Sequence, residues 1–482
     1  MRKQTLQVAN SVCTIYPPSR RISIIGVGVT EAGLSGPDSP SLHHIYEILL
    51  KIRSLIASKK LKSPNPTGKI CVINTDNVPG NGSIIRKHLV EIAKKSKGGE
   101  QSVCETTDSS ESDSFIGFLD KHISFHNTMV DRITSQRENS GGMVPRCEPV
   151  PAKALVVEDL TSSLPSAFSS DYVKSEFGVV VRKDKGELDF DIVAKLRIAN
   201  GTHTAVAHTM ALSSLLMTDV LARDESYEAA TILMKYLDSF VKDQVLASRD
   251  MQARTLEAEA AWDDWRRRLC HPAFGLSTFF ITQNGEKKGG IRMSPTIKNL
   301  MESGNGHVSV AASFAFAALL RFHTPRDAFN ANHSDGIYKG WLDSTTEAGT
   351  DDVVYADGLR YNLSEGWYEF RGHCKVGGQS SSENASISAL LGKASRGDGS
   401  QPIVFLDAIK AYLREKDGGN MADCNTLDFE NFAISTATLY ARMLSDNLLS
   451  ILKEIASNKD IYTHGFATKC SVLVDGRPKV SD

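Results

Sequence analysis

The 482-residue chain predicts an α/β first part, half of a doubly wound parallel sheet over residues 1–188, followed by a large, mainly α-helical domain over 189–482. Three observations carry that prediction. Apolar runs at 22–29, 70–74 and 154–158 are short and bounded by turn residues, as strands buried in a parallel sheet are. Amphipathic stretches at 41–58 and 83–95 lie between them, where parallel strands need crossover helices. From 189 onward the apolar residues recur at three- and four-residue spacing instead.

In the first run, ISIIGVGVTEAG, Gly26, Gly28 and Gly33 invite a turn whose backbone amides cradle a pyrophosphate. The spacing fails, because the third glycine would have to stand where Glu31 does, and a carboxylate there opposes the phosphate charge. The run therefore reads as a buried strand. Residues 96–114 (KKSKGGEQSVCETTDSSES) are polar and poor in bulky apolar side chains, which predicts a flexible insertion, and 135–152 reads as a loop. Helical periodicity covers 190–222, 226–269, 307–322, 402–416 and 427–457. Residues 326–402 combine aromatics with a GQSSSENAS stretch and read as an insertion with its own small hydrophobic cluster, or as a lid in which Trp341, Trp367 and Tyr368 stack on a ligand.

Composition narrows the class. With 41% hydrophobic residues and a net charge of −2, the chain reads as a soluble globular protein without a nucleic-acid surface. No apolar run reaches the roughly 18 residues that span a bilayer. Cys13, Cys71, Cys104, Cys147, Cys270, Cys374, Cys424 and Cys470 show no zinc-type spacing, which predicts reduced thiols in the cytoplasm and no metal site. Arg2, Lys3, Arg20 and Arg21, with no acid among residues 1–21, also fit an organelle transit peptide.

The segment richest in chemistry is DIVAKLRIANGTHTAVAHTMAL, residues 191–212. At about 100° per residue, Lys195, Asn200 and His203 fall at about 0°, 140° and 80°, so one helix would present an amine, an amide and an imidazole on roughly one side. Such a side can hold one small polar molecule. A solvated lysine, a polar asparagine and a core histidine on an amphipathic helix would give the same spacing. As a general base, a lysine needs its reference pKa of about 10.4 lowered by roughly three units, which a dry pocket could provide. Gly201 costs roughly 1 kcal/mol inside a helix relative to alanine, and its missing side chain lets a flat ligand approach the backbone.

This stretch resembles the KLRLLNGSHS segment of the polyol-specific long-chain dehydrogenases, the mannitol 2-dehydrogenase and fructuronate reductase family. Two further segments agree in order: NTDNVPGNG at 74–82 is similar to the family's SCDNLPxNG, and FHNTMVDRI at 125–133 to its FPNSMVDRI. Weaker echoes are VTEAG at 29–33 and GEKKGGIRMSPTI at 285–297, so the resemblance spans roughly residues 20–325. It implies metal-independent, NAD- or NADP-dependent interconversion of a polyol, mannitol or a related hexitol or sugar acid, and its ketose, on a Rossmann-like sheet with a helical substrate domain. Within it, Lys195 matches the general base, Asn77 and Asn200 the amide donors of an oxyanion hole, and His203 the histidine that holds the substrate oxygen. Asp131 matches a carboxylate for further sugar hydroxyls, against the alternatives of an ion pair with Arg132 or a helix cap. Lys288 matches a basic position at the far end of the substrate, against plain solvated charge.

Departures accompany the matches. The glutamate usually three residues before the base is Ile192 here; Asp191 is adjacent but is expected to point elsewhere. An arginine common in the family is replaced by Phe280. The glycine-rich nucleotide-binding unit that precedes the TEKG segment in the family is not seen upstream of VTEAG, so no cofactor-binding residues are assigned. Two functions follow: a polyol oxidoreductase, or a homologue or split-enzyme subunit that binds a polyol or a partner without hydride transfer.

Overall fold

The computed structural model describes residues 21–99, 114–136 and 145–322, with short breaks at 214, 216, 223–227, 272–273, 277, 283–284 and 304–307. It also describes 403–457, with breaks at 415–420, 422–423, 425 and 446–447, and the backbone of three strands between 352 and 370. The chain divides into two compact units, Met1–Ile133 with Val150–Ile192, and Thr134–Pro149 with Val193–Asp482.

The first unit is α/β. Strand β1 (Ile24–Val27) leads to helix α1 (Pro40–Ala57), whose Pro40 suits a first helical turn and whose Leu42, Ile45, Leu49 and Ile52 form one buried stripe. Then come β2 (Ile70–Asn74), buried at all five positions, α2 (Asn81–Gly99), α3 (Phe115–His122) and β3 (Ile123–His126). The three strands form a parallel sheet in the order β1-β2-β3, with Val72 opposite both Ile25 and Phe125. Strand β1 is half-buried at the edge of this sheet, with Ile25 and Val27 packed on one core cluster and Ile24 on another, so both its faces are partly covered.

After Asn127 the chain continues as β4 (Thr128–Val130), makes the hairpin strands β5 (Thr134–Gln136) and β6 (Pro145–Cys147) of the second unit, and returns as β7 (Leu155–Glu158). Helix α4 (Asp171–Phe177) and β8 (Val179–Arg182) follow. The second sheet has the order β4-β7-β8, antiparallel between β4 and β7 and parallel between β7 and β8. The run at 154–158 is thus the centre of a separate mixed sheet. Gly178 ends α4 at φ +64°, where a Cβ would stand 2.2 Å from the Pro151 carbonyl oxygen, so only glycine fits.

Helix α5 (Glu187–Ala194) brings the chain to the second unit, which is mainly helical. There a π turn (Lys195–Ala199) opens into α6 (Asn200–Leu212). Next are α7 (Glu228–Phe240) with a second π turn at Val241–Val245, α8 (Arg249–Gln252), α9 (Thr255–Leu269), α10 (Thr278–Thr282) and α11 (Gly285–Lys288). A third π turn at Gly289–Met293 leads into α12 (Ser294–Glu302), followed by α13 (Val310–Phe322). Strands β9 (Asp352–Tyr355), β10 (Leu359–Asn362) and β11 (Trp367–Phe370) form an antiparallel meander, and α14 (Ile403–Arg414), α15 (Leu427–Ser445) and α16 (Leu448–Ser457) complete the unit.

Helix α13 is buried from Ala311 to Phe322, with Ser313 and Arg321 its polar side chains, and packs against α6 and α15, with the Phe316 ring edge-on to Tyr412 and Phe432. Helix α6 is buried from Gly201 to Leu212, and its Thr202, Thr204 and Thr209 hydroxyls donate back to the carbonyls of Ile198, Asn200 and Ala205.

Several expectations need correction. The periodic stretches 190–222 and 226–269 are not single helices: the first ends at Leu212 and the extended Ser248 (φ −69°, ψ 149°) breaks the second, while π turns inside them widen the winding without interrupting it, features that spacing does not register. The loop at 135–152 contains strand β6 and the buried Glu148, and residues 96–99 of the expected insertion are the end of α2. The rest of that insertion at 100–113, the basic residues 1–20 and Trp341 lie outside the described residues. So do the side chains of Trp367 and Tyr368. Among the described residues no helix is long and apolar enough to cross a membrane, no cluster of three His, Cys, Asp or Glu could hold a metal ion, and Cys71, Cys270 and Cys424 are free thiols.

Candidate active site

In the second unit, Lys195 opens the first π turn, and Asn200 closes it by donating its backbone N–H to the Lys195 carbonyl. A π turn carries one residue more per hydrogen-bonded ring than an α turn, so the angular offsets read at α-helical spacing do not hold between Lys195 and Asn200. Lys195 and Asn200 are half-buried, and His203, one turn further along α6, is buried at 5% exposure.

His203 sits against two aromatic rings. Trp265 meets it edge-on at 5.1 Å between centroids, and Phe274 lies at 5.7 Å. The Trp265 indole is fixed by donating to the Thr202 hydroxyl at 2.8 Å. In this apolar box the His203 Nε2 is buried without a hydrogen-bond partner. Burial first, and then the cations Arg292, Lys288 and Arg268, pull the imidazole down to about 3, so it is neutral at physiological pH.

Those cations differ in their own partners. Arg268 is fully engaged: it forms a two-pronged pair with Glu148 at 3.0 and 2.9 Å, reaches Asp264 at 3.4 Å and lies over the Trp265 ring. Lys288 donates to the Ile281 carbonyl at 2.7 Å, so it is anchored to the chain and is not plain solvated charge. Arg292 donates to the Thr204 hydroxyl at 3.1 Å, and desolvation brings its guanidinium down to about 10. Arg292 lay inside the GEKKGGIRMSPTI segment without being singled out; what marks it is its π turn, which the sequence does not announce.

Two π turns meet here. Arg197, in the first, donates to the Ile291 carbonyl in the third. A Cβ on Gly201 would stand 3.3 Å from the Arg292 carbonyl oxygen. The glycine therefore admits the backbone of the third π turn and not a ligand, which corrects the sequence-based reading. Phe280 lies in α10, and its side chain is outside the described residues.

Asn77 and Asp131 belong to the first unit. The Asn77 side-chain Oδ1 accepts from the Val130 N–H at 3.2 Å, which turns its exposed NH2 group away from that bond as a donor. Asp131 directly follows β4, with its N–H bonded to the Ala154 carbonyl at 3.0 Å and no helix after it, so it is not a helix cap. The two sequence segments that carry these residues are locked together. Buried Asn81 donates to the Thr128 hydroxyl at 2.8 Å and accepts from the Thr128 N–H at 3.1 Å, while Asn127 accepts from the Ser83 N–H at 3.0 Å. At Gly82 a Cβ would stand 2.4 Å from the His126 carbonyl oxygen. Asp191 does point elsewhere, bonded to Arg182 at 2.7 and 3.0 Å and to Lys153 at 2.6 Å.

The turn after β1 does not fit a pyrophosphate. It is a single 3-10 turn, Glu31–Leu34, opened by an exposed carboxylate and not by a full helix with free amides.

No protein-family model matches the sequence, and no curated protein matches it either. Among solved structures, the chain is similar to D-sorbitol dehydrogenase in substrate-free form, with a TM-score of 0.53 and 15% identity, covering 91% of this chain and 77% of that one. It also aligns with the ternary complex of Pseudomonas fluorescens mannitol 2-dehydrogenase with NAD and D-mannitol, with a TM-score of 0.48 and 15% identity, covering 91% and 75%. The chain has the fold of the first of these dehydrogenases.

Proposed function

We propose that this chain is an oxidoreductase that interconverts a secondary alcohol of a polyol, a hexitol or sugar acid, and its ketone, with NAD or NADP as the hydride partner. The observation that carries the reading is His203: a neutral, buried imidazole with an unpaired Nε2, three residues beyond Asn200 and on the helix that Lys195 leads into. Leaving a buried nitrogen unpaired costs about 1–3 kcal/mol, a cost that a bound hydroxyl would remove. The fold of D-sorbitol dehydrogenase supports the same class.

In this reading His203 holds the substrate oxygen, Lys195 takes its proton, and the Asn200 amide donates to the alkoxide as charge develops there. Asn77, as a further amide donor, Asp131, as a carboxylate for sugar hydroxyls, and Lys288, as a cation at the far end of the substrate, enter on the strength of the sequence resemblance. No described residue is assigned to NAD or NADP. The poor fit of the Glu31 turn to pyrophosphate favours the second reading, a homologue or split-enzyme subunit that binds a polyol or a partner without transferring hydride.

Titration of the purified chain with NAD and NADP, followed by turnover of D-sorbitol and D-mannitol, separates the two. The enzyme reading expects cofactor binding, activity abolished in Lys195→Ala with the fold intact, and activity about 100-fold lower in Asn200→Ala. Full activity in Lys195→Ala would remove the proposed base, and failure to bind either nucleotide would leave the non-catalytic reading.

A further inference from the structure

The threonines of α6 bond back to main-chain carbonyls, and Thr202 is the one whose acceptors lie in the π turn of Lys195. Its hydroxyl donates to the Ile198 carbonyl at 2.6 Å, with the Ala199 carbonyl at 3.1 Å, whereas Thr204 and Thr209 reach Asn200 and Ala205. A hydroxyl bonded four residues back bends a helix, and here it acts on a turn already widened by one residue.

Thr202 is itself held. Its oxygen accepts from the Trp265 indole N–H of α9 at 2.8 Å. The Arg268 guanidinium lies 4.9 Å from the centre of that ring and is gripped by Glu148 at 3.0 and 2.9 Å. An unbroken line of contacts therefore runs from Glu148 through Arg268, Trp265 and Thr202 to the backbone that carries Lys195, all of it within the second unit. Thr202 and Trp265 are at 1% exposure or less, so water does not stand in for either partner. Packing against His203 and Arg268 needs only an aromatic ring. The indole N–H adds a directional bond, which fixes where Thr202 and the Ile198 carbonyl stand.

We propose that Trp265 is a positioning residue: through its bond to Thr202 it holds the π turn in the shape that presents Lys195. The role of Lys195 as a base rests on the polyol-oxidoreductase reading, whereas the hold on its turn does not.

Four variants test it: Trp265→Phe, Thr202→Val, Thr202→Ser and the double change of Trp265→Phe with Thr202→Val. With NAD(P) and D-sorbitol or D-mannitol, Trp265→Phe and Thr202→Val should each lower kcat about tenfold or more, with KM within about twofold, because a small displacement of a reacting group is costly. Thr202→Ser keeps the hydroxyl and should recover most of that loss. Each of the first two changes leaves a buried partner short of its bond, whereas the double variant removes both partners. Its urea midpoint should therefore lie above the sum of the two single losses, yet its kcat should stay low, because the bond is still missing. Recovery of kcat along with stability would show a purely structural role and overturn the proposal, as would a wild-type kcat in Thr202→Val.

The two readings fail separately. Turnover that is equal in all variants would keep the oxidoreductase and remove the positioning role. If the wild type shows no turnover, the rate at which trinitrobenzenesulfonate labels Lys195, read by peptide mass spectrometry, decides. It should change about threefold or more in Thr202→Val and return toward wild type in Thr202→Ser, since the reactivity of an amine follows its surroundings. That result would keep the positioning role without the oxidoreductase, and equal labelling of the three proteins would overturn it.

Discussion

Acid should destabilise this protein in part through a single residue, His203, whose share can be isolated. In the folded chain its imidazole is held down to about 3 by burial and by the cations Arg292, Lys288 and Arg268. Released into water on unfolding, it returns to about 6.5. Between those values the unfolded chain binds a proton that the folded chain refuses, so falling pH favours unfolding. The contribution is intact above about pH 6.5 and drains away at about 1.36 kcal/mol per pH unit toward pH 3, so a step from pH 7 to pH 4.5 removes about 3 kcal/mol. Urea unfolding at both pH values, in wild type and in His203→Gln, isolates this contribution, because the carboxylates that also titrate are common to both proteins. The wild type should lose about 3 kcal/mol more than the variant. An equal loss in the two proteins would show that the imidazole is neither so buried nor so surrounded by cations as the structure places it.

Two packing predictions follow from unit interiors. Gly82→Ala should lower stability by about 3 kcal/mol or more, read from the urea midpoint, because its Cβ would meet the backbone oxygen of His126 and not a yielding side chain. A wild-type midpoint would mean that α2 does not approach the β3–β4 junction so closely. Glu148→Ala should cost about 3 kcal/mol by removing the two-pronged partner of the buried Arg268 guanidinium and leaving it only the longer contact to Asp264 at 3.4 Å, with the Arg268 and Glu148 side chains at 1% exposure or less. The companion change Arg268→Met should recover much of that loss in the double variant, and a purely additive double variant would argue against the pair.

The sequence was most informative where one residue type does one physical job. Strand β2 falls on residues 70–74, where four apolar residues and Asn74 stand between polar flanks as a buried strand requires. Helix α1 was equally legible, since its buried stripe, its leading proline and its length agree with one another. The segments 74–82 and 125–133 were readable as a pair, and the structure supplies the cause: Asn81, Gly82, Ser83, Asn127 and Thr128 bind one segment to the other, so much of what looks like a functional signature there is a packing joint. Gly201 was misread for the complementary reason. A glycine announces a close approach without saying what approaches, and here it is the backbone at Arg292.

By itself the sequence determined the α/β-then-helical architecture, the order of the first strands and helices, and the placing of Lys195, Asn200 and His203 on one stretch of chain. Those are consequences of local periodicity and composition, which act over a few residues and survive any tertiary arrangement. Only the tertiary structure decided that the Lys195–Ala199 and Gly289–Met293 turns widen to π geometry, that Glu148 neutralises Arg268 from 120 residues away, and that Arg292 pairs with no carboxylate among the described residues. Charge pairing and desolvation depend on which distant groups share a low-dielectric interior, so the same arginine is a buried counter-ion or a surface solubiliser according to what folding places beside it.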